Sequence, residues 1–199
     1  MNTGNSKAEI HVLLYLYITR EYIGRVYLSR TLGIGEGRLR SILSRLYSQG
    51  IIERIRAGVK LSKKGLLIVE DYLRQRGITR IFTGNADELG SASSIVAETC
   101  LKYDTSVNIL KLRDEAVRGG AQGAIILKYR AGRLIVPPLE DDLCLYARSL
   151  CREISGKIKP SEGSIIIVVF ADTLREALSG LVSMIESKHY LELSQASIT

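Results

Sequence analysis

The chain has 199 residues, of which 46% are hydrophobic, so it can form the cores of one or two domains. No run of 18 uncharged apolar residues occurs, and the first ten residues lack the apolar segment of a secretory signal, so we expect a cytoplasmic protein without a membrane span. The net charge of +7 is concentrated at one end: residues 1–80 carry 15 Lys or Arg and 6 Asp or Glu, whereas residues 81–199 carry 13 and 15. The basic N-terminal part predicts a nucleic-acid partner.

Few residues are available for catalysis, metal binding or disulfide formation. Cys100, Cys144 and Cys151 are odd in number and show no CxxC spacing, so we expect buried thiols in a reducing compartment and no disulfide. His11 and His189 are the only histidines, which leaves little material for histidine-based triad or metal chemistry. We therefore predict a protein that is not an enzyme and that holds no metal or cofactor.

The first predicted elements are three helices. Residues 8–19 are mostly apolar, as expected of a scaffold helix in a three-helix core. A short helix is predicted over Arg25–Leu32 and a longer one over Glu36–Ser48, with a tight turn between them. Gly33 suits the left-handed conformation that ends a helix, and Ile34 is expected to point back between the two helices. The glycines of this turn do not match a nucleotide-binding loop, because no strand precedes them and the third glycine is missing at the required spacing.

The helix predicted over Glu36–Ser48 has two unlike faces. One stripe is apolar and must pack inward: Leu39, Ile42, Leu43 and Leu46. The opposite side carries short hydroxyl side chains flanked by arginines, namely Arg38, Arg40, Ser41, Ser44, Arg45 and Ser48. Serines let a helix approach deep into a major groove, and arginines reach guanine edges or phosphates. The alternative is a solvated basic face on an ordinary surface helix, but the preceding turn and the basic hairpin that follows favour a DNA-reading helix.

A small basic hairpin is predicted after this helix. Its strands are Ile51–Ile55 and Val59–Leu61, joined by the turn Arg56-Ala57-Gly58. The hairpin and the turn after it carry five cations that suit contacts to phosphates or a neighbouring minor groove: Arg54, Arg56, Lys60, Lys63 and Lys64. Ser62 is a suitable cap for a fourth helix over Lys63–Gln75. We place a domain boundary after this helix, between residues 79 and 80.

Helix, turn, helix and hairpin in this order form the winged helix-turn-helix arrangement. The step Leu61-Ser62-Lys63-Lys64-Gly65 resembles the passage from the second wing strand into the last helix of winged-helix transcription regulators of bacteria and archaea. The resemblance spans about residues 8–76. It implies that Arg38–Arg45 is the segment that reads the groove and that Arg54–Lys60 is the wing, which is short for extensive contact with a minor groove.

The second part of the chain is predicted to mix strands and helices. Strands are expected over Ser94–Lys102, Gly123–Tyr129, Arg133–Val136 and Ser164–Phe170. Helices are expected over Asn108–Arg118, over Glu140–Ile154 and after a cap at Asp172 or Thr173. The fold class is therefore α+β with two domains, in which residues 1–79 form a winged helix-turn-helix and residues 80–199 an α/β sandwich of about four strands and three helices.

Two polar features of this second domain have structural explanations. Glu140, Asp141 and Asp142 point in different directions on a helix, so they suit the positive end of a helix dipole better than a metal ion. Gly119-Gly120 follows a predicted helix, where it is a stop signal rather than a phosphate-binding loop.

Arg113 is the candidate ligand-binding residue, together with its neighbour Asp114. On a helical wheel Arg113 falls within the apolar stripe of its helix, which consists of Ile109, Leu112 and Ala116. We therefore expect its side chain to be buried and paired with a carboxylate, for which Glu98 and Asp172 are the candidates. Two interpretations remain open: a structural ion pair, or an anion-binding arginine inside an effector pocket.

The run Leu112-Arg113-Asp114-Glu115-Ala116, followed by Gly119-Gly120-Ala121-Gln122-Gly123-Ala124, carries a second resemblance. It is similar to the C-terminal domain of a group of archaeal winged-helix proteins of unknown function. The similarity covers about residues 92–188, and it implies a regulator without naming a ligand.

These observations predict a sequence-specific, DNA-binding transcriptional regulator. The expected partners are double-stranded DNA, a small-molecule effector and a second copy of the chain, because one reading helix contacts few base pairs and a homodimer doubles the site. The second domain is expected to dimerise, to sense the effector, or both. Two alternatives are an enzyme that the first domain recruits to nucleic acid and a chromatin-type binder without sequence preference.

Overall fold

The computed structural model describes residues 3–104 and 107–198. The chain divides into two compact units between Tyr72 and Leu73. The predicted boundary, between residues 79 and 80, lies seven residues further along the chain. Within the described residues, no helix combines the length and the apolar character needed to cross a membrane.

The first unit contains helices and a hairpin close to the predicted positions. Its elements are α1 (Thr3–Thr19), α2 (Arg25–Leu32), α3 (Glu36–Ser48), β1 (Ile52–Ile55), β2 (Gly58–Leu61) and α4 (Lys63–Arg74). Strands β1 and β2 pair antiparallel, with Ile52 opposite Leu61. Ile23, just before α2, forms an isolated bridge with Val59, which ties the start of α2 to the hairpin. The order helix, turn, helix and hairpin is that of a winged helix-turn-helix domain.

The turn between α2 and α3 fixes the position of α3. Gly33 ends α2 in the left-handed region with φ 60°. Ile34 is buried as predicted, and its carbonyl oxygen accepts a hydrogen bond of 2.6 Å from the Ser29 hydroxyl. The apolar stripe of α3 is also buried as predicted, through Leu39, Ile42, Leu43 and Leu46. Because one face of α3 is fixed in the core, its opposite face is presented to solvent.

The second unit is built on a six-stranded antiparallel sheet in the order β3-β4-β8-β5-β6-β7. Its strands are β3 (Ile78–Gly84), β4 (Ser93–Lys102), β5 (Gly123–Arg130), β6 (Arg133–Val136), β7 (Asp141–Asp142) and β8 (Ser164–Ala171). Its α-helices are α5 (Ile109–Arg118), α6 (Arg148–Lys157), α7 (Leu174–Ile185) and α8 (Lys188–Ile198). The class, mixed α and β, is as predicted, but the described sheet has six strands rather than four.

The two faces of this sheet are covered by different helices. On one face, Leu150 and Ile154 of α6 pack in a buried cluster with Val168 of β8. On the other face, Gly180 of α7 lies so close to Val169 that an added Cβ would stand 3.1 Å from its methyl group. Neighbouring residues of β8 therefore face opposite layers, as strand geometry requires, and this explains why the strand is apolar almost throughout.

Strand β3 spans the predicted domain boundary, where no strand was predicted. Only Ile78 and Ile81 are buried in it, so its own sequence shows a weak pattern. The strand forms because β4 supplies a hydrogen-bonding edge, with Phe82 opposite Val96. Pairing with the following strand decided this element, and the sequence of β3 alone did not predict it.

The helix predicted over Glu140–Ile154 is wrong in its first half. Glu140 has a left-handed φ of 58°, and β7 follows it and pairs with β6 through Asp142 and Ile135. The Asp142 carboxylate accepts a hydrogen bond of 3.0 Å from the Cys144 N–H and starts a short 3₁₀ turn, Leu143–Leu145. Helix α6 begins only at Arg148. The prediction that these acidic residues occupy the first turn of an α-helix is therefore wrong.

The cysteine prediction is also wrong. Cys144 and Cys151 form a disulfide, and Cys100 is a free and exposed thiol rather than a buried one. In the continuous helix that was predicted, residues seven positions apart would be about 10 Å from each other, too far for a disulfide. The break before α6 brings the two Cα atoms to 5.2 Å. The disulfide thus depends on the break before α6, which interrupts the helix predicted over Glu140–Ile154.

Candidate nucleic-acid interface

The exposed face of α3 carries the polar residues that the sequence predicted for it. Arg38, Arg40, Ser41 and Ser44 are exposed. A shallow depression of about 500 Å³ on this face is lined by Arg40, Ser41, Ser44, Arg45 and Ser48. The Ser41 hydroxyl donates to the Gly37 carbonyl at 3.2 Å, and the Ser48 hydroxyl donates to the Arg45 carbonyl at 2.8 Å. Because these hydroxyls are turned back onto their own helix, the helix presents a narrow surface between its arginines.

Arg45 differs from the other arginines of α3. Its guanidinium forms an ion pair with Glu9 of α1, and its side chain is only 41% exposed. The pair joins α1 to α3 through two residues that are 36 positions apart in the chain. Arg45 is therefore engaged within the protein, a role that the sequence analysis missed because Glu9 gave no local signal.

The cations of the hairpin are positioned by tyrosines. The Arg54 guanidinium lies over the ring of Tyr47, 4.9 Å from its centre, and the Lys60 ammonium lies over the ring of Tyr22 at 4.6 Å. The Tyr22 hydroxyl in turn donates to the Glu53 carboxylate at 3.0 Å. Arg56 is exposed in the turn between the strands. Cation–π contacts at exposed sites restrict a side chain without neutralising its charge, so both cations remain able to attract phosphate.

The two lysines after the hairpin have different environments. Lys64 donates from its ammonium to the Gln49 carbonyl at 2.8 Å and so binds the C-terminal end of α3. Lys63 is exposed in the first turn of α4. Ser62 caps α4 as predicted, because its hydroxyl oxygen accepts a hydrogen bond of 3.1 Å from the Gly65 N–H.

A larger cavity of about 870 Å³ lies between α2, α3 and the hairpin, and we call it the arginine groove. Its charged lining residues are Arg25, Arg30, Arg40, Arg54 and Arg56. Its apolar lining residues are Val26, Tyr27, Leu43, Ile52, Ile55 and Val59. None of the lining residues that the structure describes is Asp or Glu. One of these arginines, Arg25, forms an ion pair with an acidic residue outside the lining: the Glu36 carboxylate is 3.7 Å from its guanidinium, and both side chains are exposed.

Arg25, Arg30 and the tyrosines of this surface were not predicted from the sequence. Tyr27 is 60% exposed in the groove. Burial and the hydrogen bond with Tyr27 raise the pKa of Tyr15, in α1, to about 12. This hydrogen bond joins Tyr27 of α2 to Tyr15 of α1. The available signal was the pair Val26 and Tyr27, two large hydrophobic residues at exposed positions of a short basic helix, but its use required knowledge of where the hairpin lies.

The predicted ligand-binding residues of the second unit do not form a site. Arg113 and Asp114 are both exposed, and no ion pair within the described residues joins Arg113 to Glu98 or Asp172. The prediction that Arg113 is buried is wrong because α5 buries only a narrow stripe, Leu112 and Ala116. Leu110 and Val117, on the outer face of the same helix, are 66% and 45% exposed.

A smaller cleft of about 490 Å³ does occur at the start of α5. It is lined by residues that include Asn108, Lys111, Pro138 and His189. The Asn108 N–H donates to the His189 imidazole at 3.2 Å, and the Asn108 side chain caps the helix by accepting from the Lys111 N–H at 3.0 Å. Arg113 does not line this cleft.

The comparisons with known proteins agree with a two-domain fold. Residues 9–66 match the family described as PH0730-like, N-terminal domain, which is a winged-helix-type family. Residues 91–188 match the family described as Domain of unknown function (DUF4443). The hypothetical protein PH0730 from Pyrococcus horikoshii OT3 is similar in structure, with 25% sequence identity and a TM-score of 0.72 over 96% of this chain and 95% of that chain. No curated protein matches the chain.

Proposed function

We propose that the protein is a DNA-binding transcriptional regulator whose first unit reads a duplex through α3. One observation carries this proposal: arginines line the depression on α3 and the adjoining arginine groove, and no acidic residue lines either of these two sites within the described residues. A winged-helix-type family match over residues 9–66 supports the same assignment. Concentrated positive charge on one surface is the electrostatic feature expected of a DNA-binding protein.

The residues of this surface have different proposed roles. Arg40 and Ser44 line the depression on α3 and would contact base edges, with Ser41 keeping the helix narrow. Arg38 and Lys63 are exposed and would contact phosphates, together with Arg54, Arg56 and Lys60 of the hairpin. Arg45 and Lys64 act on the protein itself, through Glu9 and the Gln49 carbonyl. Arg25 and Arg30 join the set through the arginine groove.

The protein is further proposed to act as a homodimer and to work by binding rather than by catalysis. Two copies of α3 would read two half-sites, which raises both affinity and specificity over one copy. The second unit would supply the dimer contact, the response to a small-molecule effector, or both. The cleft beside Asn108 and His189 is the place where an effector would be sought, in preference to Arg113.

Selection of bound DNA from a random library tests the proposal, with the purified full-length protein. We expect enrichment of one sequence, arranged as an inverted repeat if a dimer binds. Tight binding without enrichment would replace the regulator with a chromatin-type binder. Absence of binding at low salt, where phosphate contacts are strongest, would reject DNA binding altogether.

A further inference from the structure

The arginine groove has more exposed apolar surface than phosphate binding requires. Its arginines account for the attraction of phosphates. Among them lie Val26, Tyr27 and Ile55, whose side chains are 44%, 60% and 49% exposed. A polar group placed against such side chains loses its water without gaining a hydrogen bond, which costs free energy. The groove therefore suits a ligand that has negative charge on one side and an apolar surface on the other.

One strand of a DNA duplex has this character and would have to pass through the groove. The sugar–phosphate strand separates the major groove from the adjacent minor groove. If α3 enters the major groove and the hairpin lies beside it, one strand runs between the two elements. The arginine groove is lined from both sides of that path, by Arg40 and Ser44 of α3 and by Arg54 and Arg56 of the hairpin.

The apolar residues of the groove act on the sugar rather than on the phosphate. Deoxyribose presents a CH₂ group at C2′, whereas ribose presents a hydroxyl that donates and accepts hydrogen bonds. Neither Val26 nor Ile55 has a side-chain atom that can bond to that hydroxyl. A 2′ hydroxyl that faces either side chain therefore loses water without gaining a partner there.

From these observations we infer that the arginine groove holds one deoxyribose–phosphate strand and that Val26 and Ile55 select deoxyribose over ribose. This inference rests on the proposed function, since it names the sugar chemistry that the same DNA-binding surface recognises. It adds Val26 and Ile55 as residues that determine the class of nucleic acid bound.

A scan of single ribonucleotides tests the inference on the full-length protein. The selected DNA duplex is prepared as a series in which one deoxyribonucleotide at a time is replaced by its ribonucleotide, along each strand. We expect affinity to fall about tenfold at one or two adjacent positions of a half-site and to stay unchanged elsewhere. One replacement leaves the rest of the duplex as DNA, so the change reports on the sugar at that position.

Two variants show whether the groove is responsible. Val26→Thr keeps the size and branching of the side chain, and Ile55→Thr keeps the branching with one carbon fewer. Each change adds a hydroxyl that can pair with the 2′ hydroxyl of ribose. The measured quantity is the ratio of the affinity for the all-DNA duplex to the affinity for each ribose-containing duplex. At the sensitive positions this ratio should fall from about ten in the original protein to about one in the variants, so that the loss disappears. Val117→Thr is the matched control, because Val117 is similarly exposed, at 45%, on α5 of the second unit; it should leave the loss unchanged.

The outcomes separate the inference from the proposed function. If the all-DNA duplex binds but no position is sensitive to ribose, the inference is rejected and DNA binding stands. If sensitive positions exist and remain equally sensitive in both threonine variants, the discrimination lies outside the groove and the inference is again rejected. If the unmodified protein binds no DNA duplex, the proposed function fails first, and the inference fails with it.

Discussion

The arginines of α3 have different environments: Arg40 faces solvent, whereas Arg45 forms an ion pair within the protein. Arg40 is exposed and lines both the arginine groove and the depression on α3. Arg45, five residues later, is engaged with Glu9. A charge count along the helix treats the two as equivalent, whereas only Arg40 is available for a base without first breaking a contact.

Replacing Arg40 by alanine tests the base-reading role. Arg40→Ala should weaken binding to the selected sequence by about 1–3 kcal/mol and relax the preference for that sequence, because a bidentate contact to a base edge is lost. Titration of the selected duplex and of a scrambled duplex measures both effects. Arg113→Ala is the control, since it removes an exposed arginine from the second unit and should change neither value. Equal weakening on both duplexes would assign Arg40 to phosphate instead.

Arg56 should behave in the opposite way. It is exposed in the turn of the hairpin, where it is expected to contact phosphate and to carry no base preference. Arg56→Ala should weaken binding to all sequences alike and lower the slope of log affinity against log salt by about one. The slope is measured on the selected and scrambled duplexes between low and physiological salt. A changed sequence preference in this variant would show that the hairpin reads bases.

At the scale of elements, the hairpin depends on a close approach that only glycine permits. Gly58 has φ 153°, and a Cβ added there would stand 2.4 Å from the backbone of Ile23, which pairs with the hairpin through Val59. Gly58→Ala should therefore separate Ile23 from the hairpin and destabilise the first unit by about 1–3 kcal/mol. Thermal unfolding of the full chain measures the loss.

Gly37→Ala is the matched control for this change. Gly37 lies in α3, and an added Cβ there meets no atom within 4 Å. Because alanine favours a helix more than glycine does, this variant should be as stable as the original protein or about 0.5–1 kcal/mol more stable. Equal behaviour of the two variants would contradict a specific role for Gly58.

The disulfide between Cys144 and Cys151 should stabilise the segment that joins β7 to α6. Closing so short a loop in the unfolded chain corresponds to about 2–3 kcal/mol by the loop-entropy estimate. Replacing both residues, as Cys144→Ser with Cys151→Ala, should lower the free energy of unfolding by a comparable amount and should therefore lower the melting temperature. A reductant should lower the melting temperature of the original protein and leave that of the variant unchanged. An effect of reductant on the variant would point to the free thiol of Cys100 instead.

At the scale of the whole molecule, the expected assembly is a homodimer. Leu110 and Val117 lie seven residues apart on the outer face of α5, so two turns of helix expose an apolar stripe that a second copy could cover. Light scattering of the full chain should give about twice the 22.0 kDa mass of one chain. Leu110→Asp should lower that mass toward one chain without unfolding the protein. A dimer that survives this change would place the contact elsewhere, and a monomeric original protein would reject the dimer.

Much of the first unit could be predicted because its signals are local. The bounds of α2 and α3 agree with the prediction, since helical hydrogen bonds span only four residues and the apolar spacing of α3 repeats over its whole length. The αL conformation of Gly33 and the cap at Ser62 are likewise set by neighbours a few residues away. For the same reason, the exposed arginines and serines of α3 were identified from their spacing alone.

The features decided only by the tertiary structure are those in which residues of separate elements pair or pack. Pairing with β4 makes a strand of Ile78–Gly84, and pairing with β6 turns the start of a predicted helix into β7. The ion pair of Arg45 and the lining of the arginine groove likewise combine segments that are far apart in the chain. Helical periodicity states which residues share a face, but the burial of that face depends on what packs against it. Arg113 shows the difference: the wheel placed it in an apolar stripe, and the packing of α5 left it in solvent.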